Sequence, residues 1–434
     1  MKIITVSKFY FRRSDLENYL FNITDILREK GHEIVPFATS CKNNYFNDND
    51  DFYTEYTDIE GEKEFALAKK ITAVKRIFYN DDIGKKFALL LDYTKPDIVW
   101  GFGINRYISP SIFIEAQRRN IPVIHRFSDY DIICPYSKDN GNYSPLMHEE
   151  KNGKESGHKA ILKKCFKLIK GNEGEKANGK ESLTDAAELY FYNRFKFYTN
   201  NVDKFIAPSY FIKNIMLKSG VPEDKISFIP VYIDSSKYTP EVESMPYLVY
   251  FGRLTREKGL PVVLEAMSGI RNFRLIIVGD GDERENLERI KKQKKLDNVE
   301  FTGKLYGEEL SEVVKNARLV VQPSIWFDSS PNAVLEAFSY GKPVIGANIG
   351  GIPEYINEGF DGLLYNCNNA RELREKIKFL MNQPKLCQDM GISARQKVET
   401  LYNPALHYER LIGEFHRILD NKDDLNGKVH SIGA

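Results

Sequence analysis

Phe251-Gly252-Arg253-Leu254-Thr255-Arg256-Glu257-Lys258-Gly259-Leu260-Pro261 decides how this chain is read. Tyr247 to Phe251 is a short apolar, aromatic-rich run that predicts a buried parallel strand, and Leu260 to Met267 predicts a helix with Pro261 near its first position. Between them a glycine ends the strand and two cations, Arg253 and Lys258, precede the helix. A helix N-terminus offers unpaired N–H groups and partial positive charge. Arg253 can fork onto phosphate oxygens while Lys258 acts as a point charge, so the turn is suited to a pyrophosphate. The competing reading is a pair of solvated surface cations.

From that turn the pattern runs forward cleanly. Arg274 to Val278, Val299 to Thr302, Leu319 to Gln322 and Pro343 to Ala347 read as strands; Glu283 to Lys295, Glu308 to Asn316 and Pro331 to Tyr340 read as helices. The same alternation precedes it. Lys2 to Val6, Glu33 to Phe37, Asp97 to Trp100, Ile121 to His125, Lys204 to Ala207 and Ile226 to Pro230 are strand-like, with helices expected at Asp15 to Lys30, Pro110 to Arg119 and Ser209 to Lys218. Alternation of this kind predicts α/β architecture with two doubly wound, mostly parallel sheets. Periodicity breaks between Val231 and Pro246, which divides the chain into residues 1–230 and 231–403. A closing helix from Pro404 to Asp420, followed by a tail, is expected to pack back on the first unit.

Composition narrows the class. A chain of 434 residues exceeds one ordinary core, which fits two units. With 62 basic and 61 acidic side chains the net charge is +1, so no whole-protein field draws in nucleic acid. Five cysteines without a C-x-x-C pair point to reduced thiols rather than disulfides or zinc. Strand pattern starts at Lys2, and nowhere do eighteen apolar residues run together. The expectation is a cytoplasmic protein, with room for peripheral contact at the inner membrane face. Between Tyr136 and Ser182 the alternation fails, which reads as an irregular insertion. Within it His158 to Lys170 is basic and amphipathic, either a half-buried helix with a lysine face or a surface for an anionic acceptor or membrane. The aromatic run from Tyr190 to Tyr198 reads as core more readily than as a ligand platform.

Ser324 to Phe338 places Asp328 before a helix start and Glu336 inside it. Asp328 precedes Ser329, Ser330 and Pro331, so the N–H groups of Asn332, Ala333 and Val334 are expected to face an anion, and Glu336 can accept two hydroxyls as from a ribose. Alternatively Asp328 is a helix cap and Glu336 an ion-pair partner.

Gly252-Arg253 with Lys258-Gly259, Val278-Gly279-Asp280-Gly281, Phe301 to Leu305, Ser324 to Glu336, and Gly350-Gly351-Ile352-Pro353-Glu354 occur in an order and spacing that resembles family 4 glycosyltransferases. The resemblance covers nearly the whole chain and is most specific in its second half. It implies the GT-B fold, two Rossmann-like domains facing a cleft, and transfer of a sugar from a nucleotide-diphosphate sugar of UDP or GDP type, with retention and no essential metal or cofactor. On it, Arg253 and Lys258 neutralise the pyrophosphate and Glu336 holds the ribose. Asp328 takes the place of the first glutamate of the Glu-x7-Glu motif, beside the donor sugar. Gly252 and Gly279 line the donor site, Lys304 and Leu305 meet the base, and Ser329 to Val334 meet sugar and phosphates. The strings Asp129-Tyr130-Asp131 and Asp280-Gly281-Asp282 are then not metal sites. The implied acceptor is a saccharide or lipid-linked hydroxyl, as in cell-surface glycan synthesis.

Three positions depart from the family pattern. Asp328 is one methylene short of glutamate; Ser128, next to Asp129, stands where the family has a histidine, while His125 falls three residues early. Ser14-Asp15 replaces the first loop's glycine pair, and Ser14-Asp15-Leu16-Glu17 reads as a helix capping box. All lie on the sugar or acceptor side, so the expected donor sugar or acceptor differs from the common hexose cases. The rival readings are a degenerate nucleotide-sugar binder and a GT-B nucleotide-sugar epimerase. A dinucleotide dehydrogenase is weaker, since Gly279-Asp280-Gly281-Asp282-Glu283-Arg284 lacks the third glycine of its fingerprint.

Overall fold

The computed structural model describes residues 1–55, 80–104, 108–127, 136–139, 142–145 and 197–432. Ser128, Asp129, the basic stretch at 158–170 and residues 190–196 of the aromatic run lie outside the described residues.

Twelve strands build two parallel sheets. The first contains β1 (Lys2–Val6), β2 (Glu33–Phe37), β3 (Ile98–Phe102), β4 (Val123–Arg126), β5 (Lys204–Ala207) and β6 (Ile226–Phe228), in the order β6-β5-β4-β3-β1-β2. The second contains β7 (Tyr247–Phe251), β8 (Arg274–Val278), β9 (Val299–Gly303), β10 (Leu319–Gln322), β11 (Val344–Ala347) and β12 (Gly362–Tyr365), in the order β9-β8-β7-β10-β11-β12. Strands covered on both faces lose the alternation of polar and apolar residues. Accordingly all five residues of β3 and of β7 are buried. Each sheet separates two apolar clusters. Ile4, Val99, Phe113 and Phe205 lie in one cluster of the first sheet and Ile3, Trp100, Ile124 and Ile206 in the other, while Leu275 and Ile277 are divided in the same way from Ile276 and Val278 in the second sheet.

The helices that position the site are α1 (Asp15–Glu29), α2 (Asp81–Thr94), α3 (Ser111–Arg118) and α4 (Tyr210–Lys218) around the first sheet. Around the second are α5 (Leu260–Met267), α6 (Arg284–Gln293), α7 (Gly307–Lys315), α8 (Asn332–Ser339), α9 (Ala370–Met381) and α10 (Pro384–Leu401). Four of the elements, α2, α9, α10 and β12, are not marked by the sequence pattern read above.

The last helix, α11, runs Pro404–Ile432, well beyond the Asp420 limit and tail that the sequence suggests. Its Leu411, Phe415 and Ile418 belong to the cluster of Ile3, Trp100 and Phe102, so it covers one face of the first sheet. Phe415 meets Trp100 edge-on with ring centroids 5.3 Å apart. The two chain crossings between the sheets run side by side: the Ile233 N–H donates to the Tyr402 carbonyl at 2.8 Å, and His407 Nδ1 lies 2.9 Å from the Pro230 carbonyl.

A fully buried phenylalanine at this seam is expected to be costly to truncate. Phe415→Ala should lower unfolding free energy by about 3–5 kcal/mol, read as a shifted urea midpoint. A shift under about 1 kcal/mol would show that α11 contributes little to the first sheet's core.

Candidate active site

In an open parallel sheet, ligands bind beyond the strand C-termini where strand order reverses. For the second sheet that point lies between β7 and β10. The two chain segments leaving it are 252–259 and 323–331, the same two that dominate the sequence reading. They meet backbone to backbone. Gly279 has φ +138°, and a Cβ there would sit 1.8 Å from the Gly252 carbonyl oxygen. Gly259, at φ +68°, would place a Cβ 2.2 Å from the Pro323 carbonyl. The Ile325 N–H donates to the Glu257 carbonyl at 3.0 Å, and the Leu254 N–H to the Asp280 carbonyl at 3.0 Å. Only glycine admits this approach, which holds the cation-bearing turn in place.

Lys258 Nζ lies 3.3 Å from each Asp328 carboxylate oxygen, with the two side chains only 19% and 16% exposed. The sequence reading sends Lys258 to a phosphate and Asp328 to a sugar; the structure brings them to each other, each neutralising the other. Arg253 is exposed and makes no ion pair among the described residues. Its backbone is anchored instead, because the buried Tyr250 hydroxyl donates to the Arg253 carbonyl at 2.7 Å. Arg253 and the Lys258–Asp328 pair therefore stand on the segments leaving the switch point.

Glu336, on α8, is half-buried and has no ion-pair partner among the described residues. Burial, and secondarily the negative charge of Asp15, pushes its carboxyl up to about 7. Asp15 belongs to the first turn of α1, so the two sheets' loops face each other here. The Ser14–Glu17 capping box is present: the Ser14 N–H donates to the Glu17 carboxylate at 3.0 Å, and the Ser14 hydroxyl meets the same carboxylate. Asp15 itself is exposed. Two carboxylates near enough to repel, neither in an ion pair among the described residues, make this side suited to hydroxyl donors rather than to a second anion.

The remaining predicted residues fall around these. Ser329 and Ser330 are half-buried and Pro331 is buried. The expected outward N–H cradle is only partly present, since the Asn332 N–H donates to the Ser330 carbonyl and the Val334 N–H to the Pro331 carbonyl, both at 3.0 Å. The tight entry into α8 uses them up locally. Lys304 is exposed at the end of β9, and Leu305 packs against the apolar cluster beneath that loop. His125 is fully buried, stacked on Phe127 at 5.0 Å between ring centroids; burial holds its imidazole down at about 3, as befits a core side chain. Asp280 accepts from the Gly281 N–H at 2.9 Å. Among the described residues no three His, Cys, Asp or Glu side chains gather as a metal site.

Sequence reasoning also missed a contact made by Glu354. Glu354 accepts the Tyr210 N–H at 2.7 Å and the Phe211 N–H at 2.6 Å, across from the second sheet to α4 of the first. Its only sequence signal is its place after Gly350-Gly351.

The position of Glu336 gives a stability test. A folded carboxyl near 7 against an ordinary 4.5 stabilises the fold fully below about 4.5, and that contribution is lost as pH rises through about 7. Glu336→Gln does not ionise. The wild-type advantage over it should therefore fall by about 1–3 kcal/mol between acid and alkaline limits, measured by paired urea titrations. A constant difference across that range would mean that Glu336 titrates alike in the folded and unfolded chain.

Comparison with known proteins agrees with this geometry. Residues 234–397 match the family described as glycosyl transferases group 1. A sulfoquinovosyl transferase of Arabidopsis thaliana is 30% identical over 183 residues, 38% of this chain and 35% of that protein. A GDP-mannose-dependent alpha-mannosyltransferase of Corynebacterium glutamicum is 38% identical over 123 residues, 28% of each chain. An uncharacterised glycosyltransferase of Methanocaldococcus jannaschii is 26% identical over 46% of this chain and 56% of that protein. The chain spans about half the length of the curated relatives it matches. Among solved structures, a glycosyltransferase from Rickettsia africae superposes with a TM-score of 0.67 at 18% identity, covering 97% of this chain and 99% of that one. Anabaena HepE, solved with UDP and glucose, gives 0.64 at 13% identity over 96% and 100%. The second unit is thus similar to glycosyl transferases group 1, and the chain has the GT-B architecture, two Rossmann-like domains facing a cleft.

Proposed function

We propose that this protein is a retaining glycosyltransferase of family 4 type, moving a sugar from a nucleotide-diphosphate donor of UDP or GDP type to a hydroxyl of a saccharide or lipid-linked acceptor. The observation that carries the reading is the Lys258–Asp328 pair, which joins the two segments leaving the switch point of the second sheet, with Arg253 exposed on the same turn as Lys258. Support comes from the group 1 match, and from relatives whose names specify GDP-mannose or whose structure holds UDP.

In this mechanism the donor pyrophosphate lies over the turn at Gly252 and takes Arg253 and Lys258 as counter-ions. Asp328, released from Lys258, faces the donor sugar, and Glu336 accepts the ribose hydroxyls. The bond from the anomeric carbon to the pyrophosphate oxygen breaks while the acceptor oxygen bonds to the same face of that carbon. The acceptor's proton passes to the departing phosphate. Charge grows on the leaving group as the bond breaks, and fixed cations in a half-buried site stabilise it. No general base beyond that phosphate, and no metal, is required. Residues 1–230 would supply the acceptor side, 231–403 the donor side, and the segment from 404 the return to the first domain. Among the described residues no helix is long and apolar enough to cross a membrane. Contact with a lipid-linked acceptor would then be peripheral, at a cytoplasmic surface.

A thermal-shift panel of UDP, GDP, ADP and dTDP in excess EDTA tests the donor site. One nucleotide at about a hundred times its dissociation constant should add about 2.7 kcal/mol of stability. Silence from all four would remove the reading. Lys258→Ala should keep the fold and lose about 10²–10³-fold in transfer rate; near-normal turnover would show that the pyrophosphate lies elsewhere.

A further inference from the structure

The N-terminus of α4 in the first domain grips the Asp328 loop of the second from both ends. A helix leaves its first N–H groups without internal partners. At α4 the Ser209 hydroxyl accepts from the Ile212 N–H at 3.2 Å, which is an ordinary local cap. The N–H groups of Tyr210 and Phe211 are met instead by Glu354 from the other domain, at 2.7 and 2.6 Å. A carboxylate at that position gains both hydrogen bonds and the favourable helix field. Glu354 sits just after Gly350 and Gly351, and these touch the loop directly. The Gly351 N–H donates to the Asp328 carbonyl at 2.8 Å, and a Cβ on Gly350 would lie 2.7 Å from the Phe327 backbone. On the loop's other side Phe327 stacks on Phe211 with centroids 5.7 Å apart and planes within 5°. Trp326 and Phe327 both pack against the first domain's apolar cluster.

Residues 210 and 211 thus hold the loop through two routes, one polar by way of Glu354 and Gly351, one aromatic by way of Phe327. Asp328 lies between them, and its carboxylate is the one on Lys258. We propose that Glu354 and Phe211 are positioning residues that make the placement of Asp328 depend on the domains being docked. The donor loop is then competent only when α4 is seated against it. Nucleotide binding at Arg253 and Lys258 does not pass through this contact; the sugar-dependent step through Asp328 does. The inference rests on the proposed function for its kinetic arm and on the fold alone for its structural arm.

Amide hydrogen exchange on the full chain tests the structural arm. In Glu354→Gln and in Phe211→Ala, exchange should quicken not only at Tyr210 and Phe211 but also at Asp328 and Gly351, while β7 and β10 stay protected. If the loop amides keep wild-type protection in both variants, the coupling does not exist, whatever the enzyme does. The kinetic arm compares UDP and GDP affinity with turnover. Both variants should bind the nucleoside diphosphate within about twofold of wild type and lose about ten- to a hundredfold in kcat, the size expected from misplacing a reacting group by about 1 Å. A parallel loss of nucleotide affinity would assign Glu354 to the second domain's own stability and overturn the proposal, as would unchanged kcat. A wild-type protein without transfer on any donor would sink the functional reading instead, and the exchange measurement would still decide this one.

Discussion

Backbone packed against backbone at the switch point of the second sheet is the constraint on which the rest depends. Gly259 and Gly279 leave no room for a Cβ, because the Pro323 and Gly252 carbonyls of the neighbouring turns occupy that space. Side chains at such a junction would push the loops apart by ångströms, and the carbonyls and N–H groups now paired across it would separate. Closeness of the chains fixes where Arg253, Lys258 and Asp328 start from. The short Lys258–Asp328 distances follow from backbone positions that have little freedom to relax. The precision needed by a charged site is thereby drawn from rigid elements rather than from long side chains.

Around that junction the charges are distributed unequally. Cations stand over the strand ends of the second sheet, while Glu336 and Asp15 repel each other and make no ion pair among the described residues. An elongated ligand carrying phosphate at one part and hydroxyls at another fits such a gradient in one orientation. The reverse orientation would bring phosphate against two carboxylates, at a cost that grows as solvent is excluded.

Much of this was legible in the sequence where a local rule applied. Strand β7 has five apolar or aromatic residues in a row, α5 has proline at its start, and the Ser14–Glu17 capping box is written in four consecutive residues. Such signals need no knowledge of the rest of the chain. Lys258 and Asp328 were each marked as site residues, but their pairing was not, because it spans 70 positions and depends on how two loops approach. Glu354 was hidden for the same reason: its partners are backbone N–H groups, which every residue but proline carries and no sequence pattern distinguishes. The outward N–H cradle at α8 is only partly present because of local turn bonding at Ser330 and Pro331, a choice among turn geometries that composition leaves open.

The side-by-side crossings at Ile233 and Tyr402 make the second domain an insertion between the last strand of the first sheet and the helix that covers it. During synthesis β1 to β6 emerge well before Leu411, Phe415 and Ile418, and the part of one apolar face that Leu20, Ile23 and Leu27 of α1 leave open must wait for them. At ~5–20 residues per second the wait is roughly 10–40 s, long compared with the collapse of a small domain. The second domain, whose strands and helices are contiguous in the chain, can fold meanwhile. Order of assembly on the ribosome is therefore inverted relative to order in the sequence, and the exposed Trp100 face is where a chaperone would be needed in the interval.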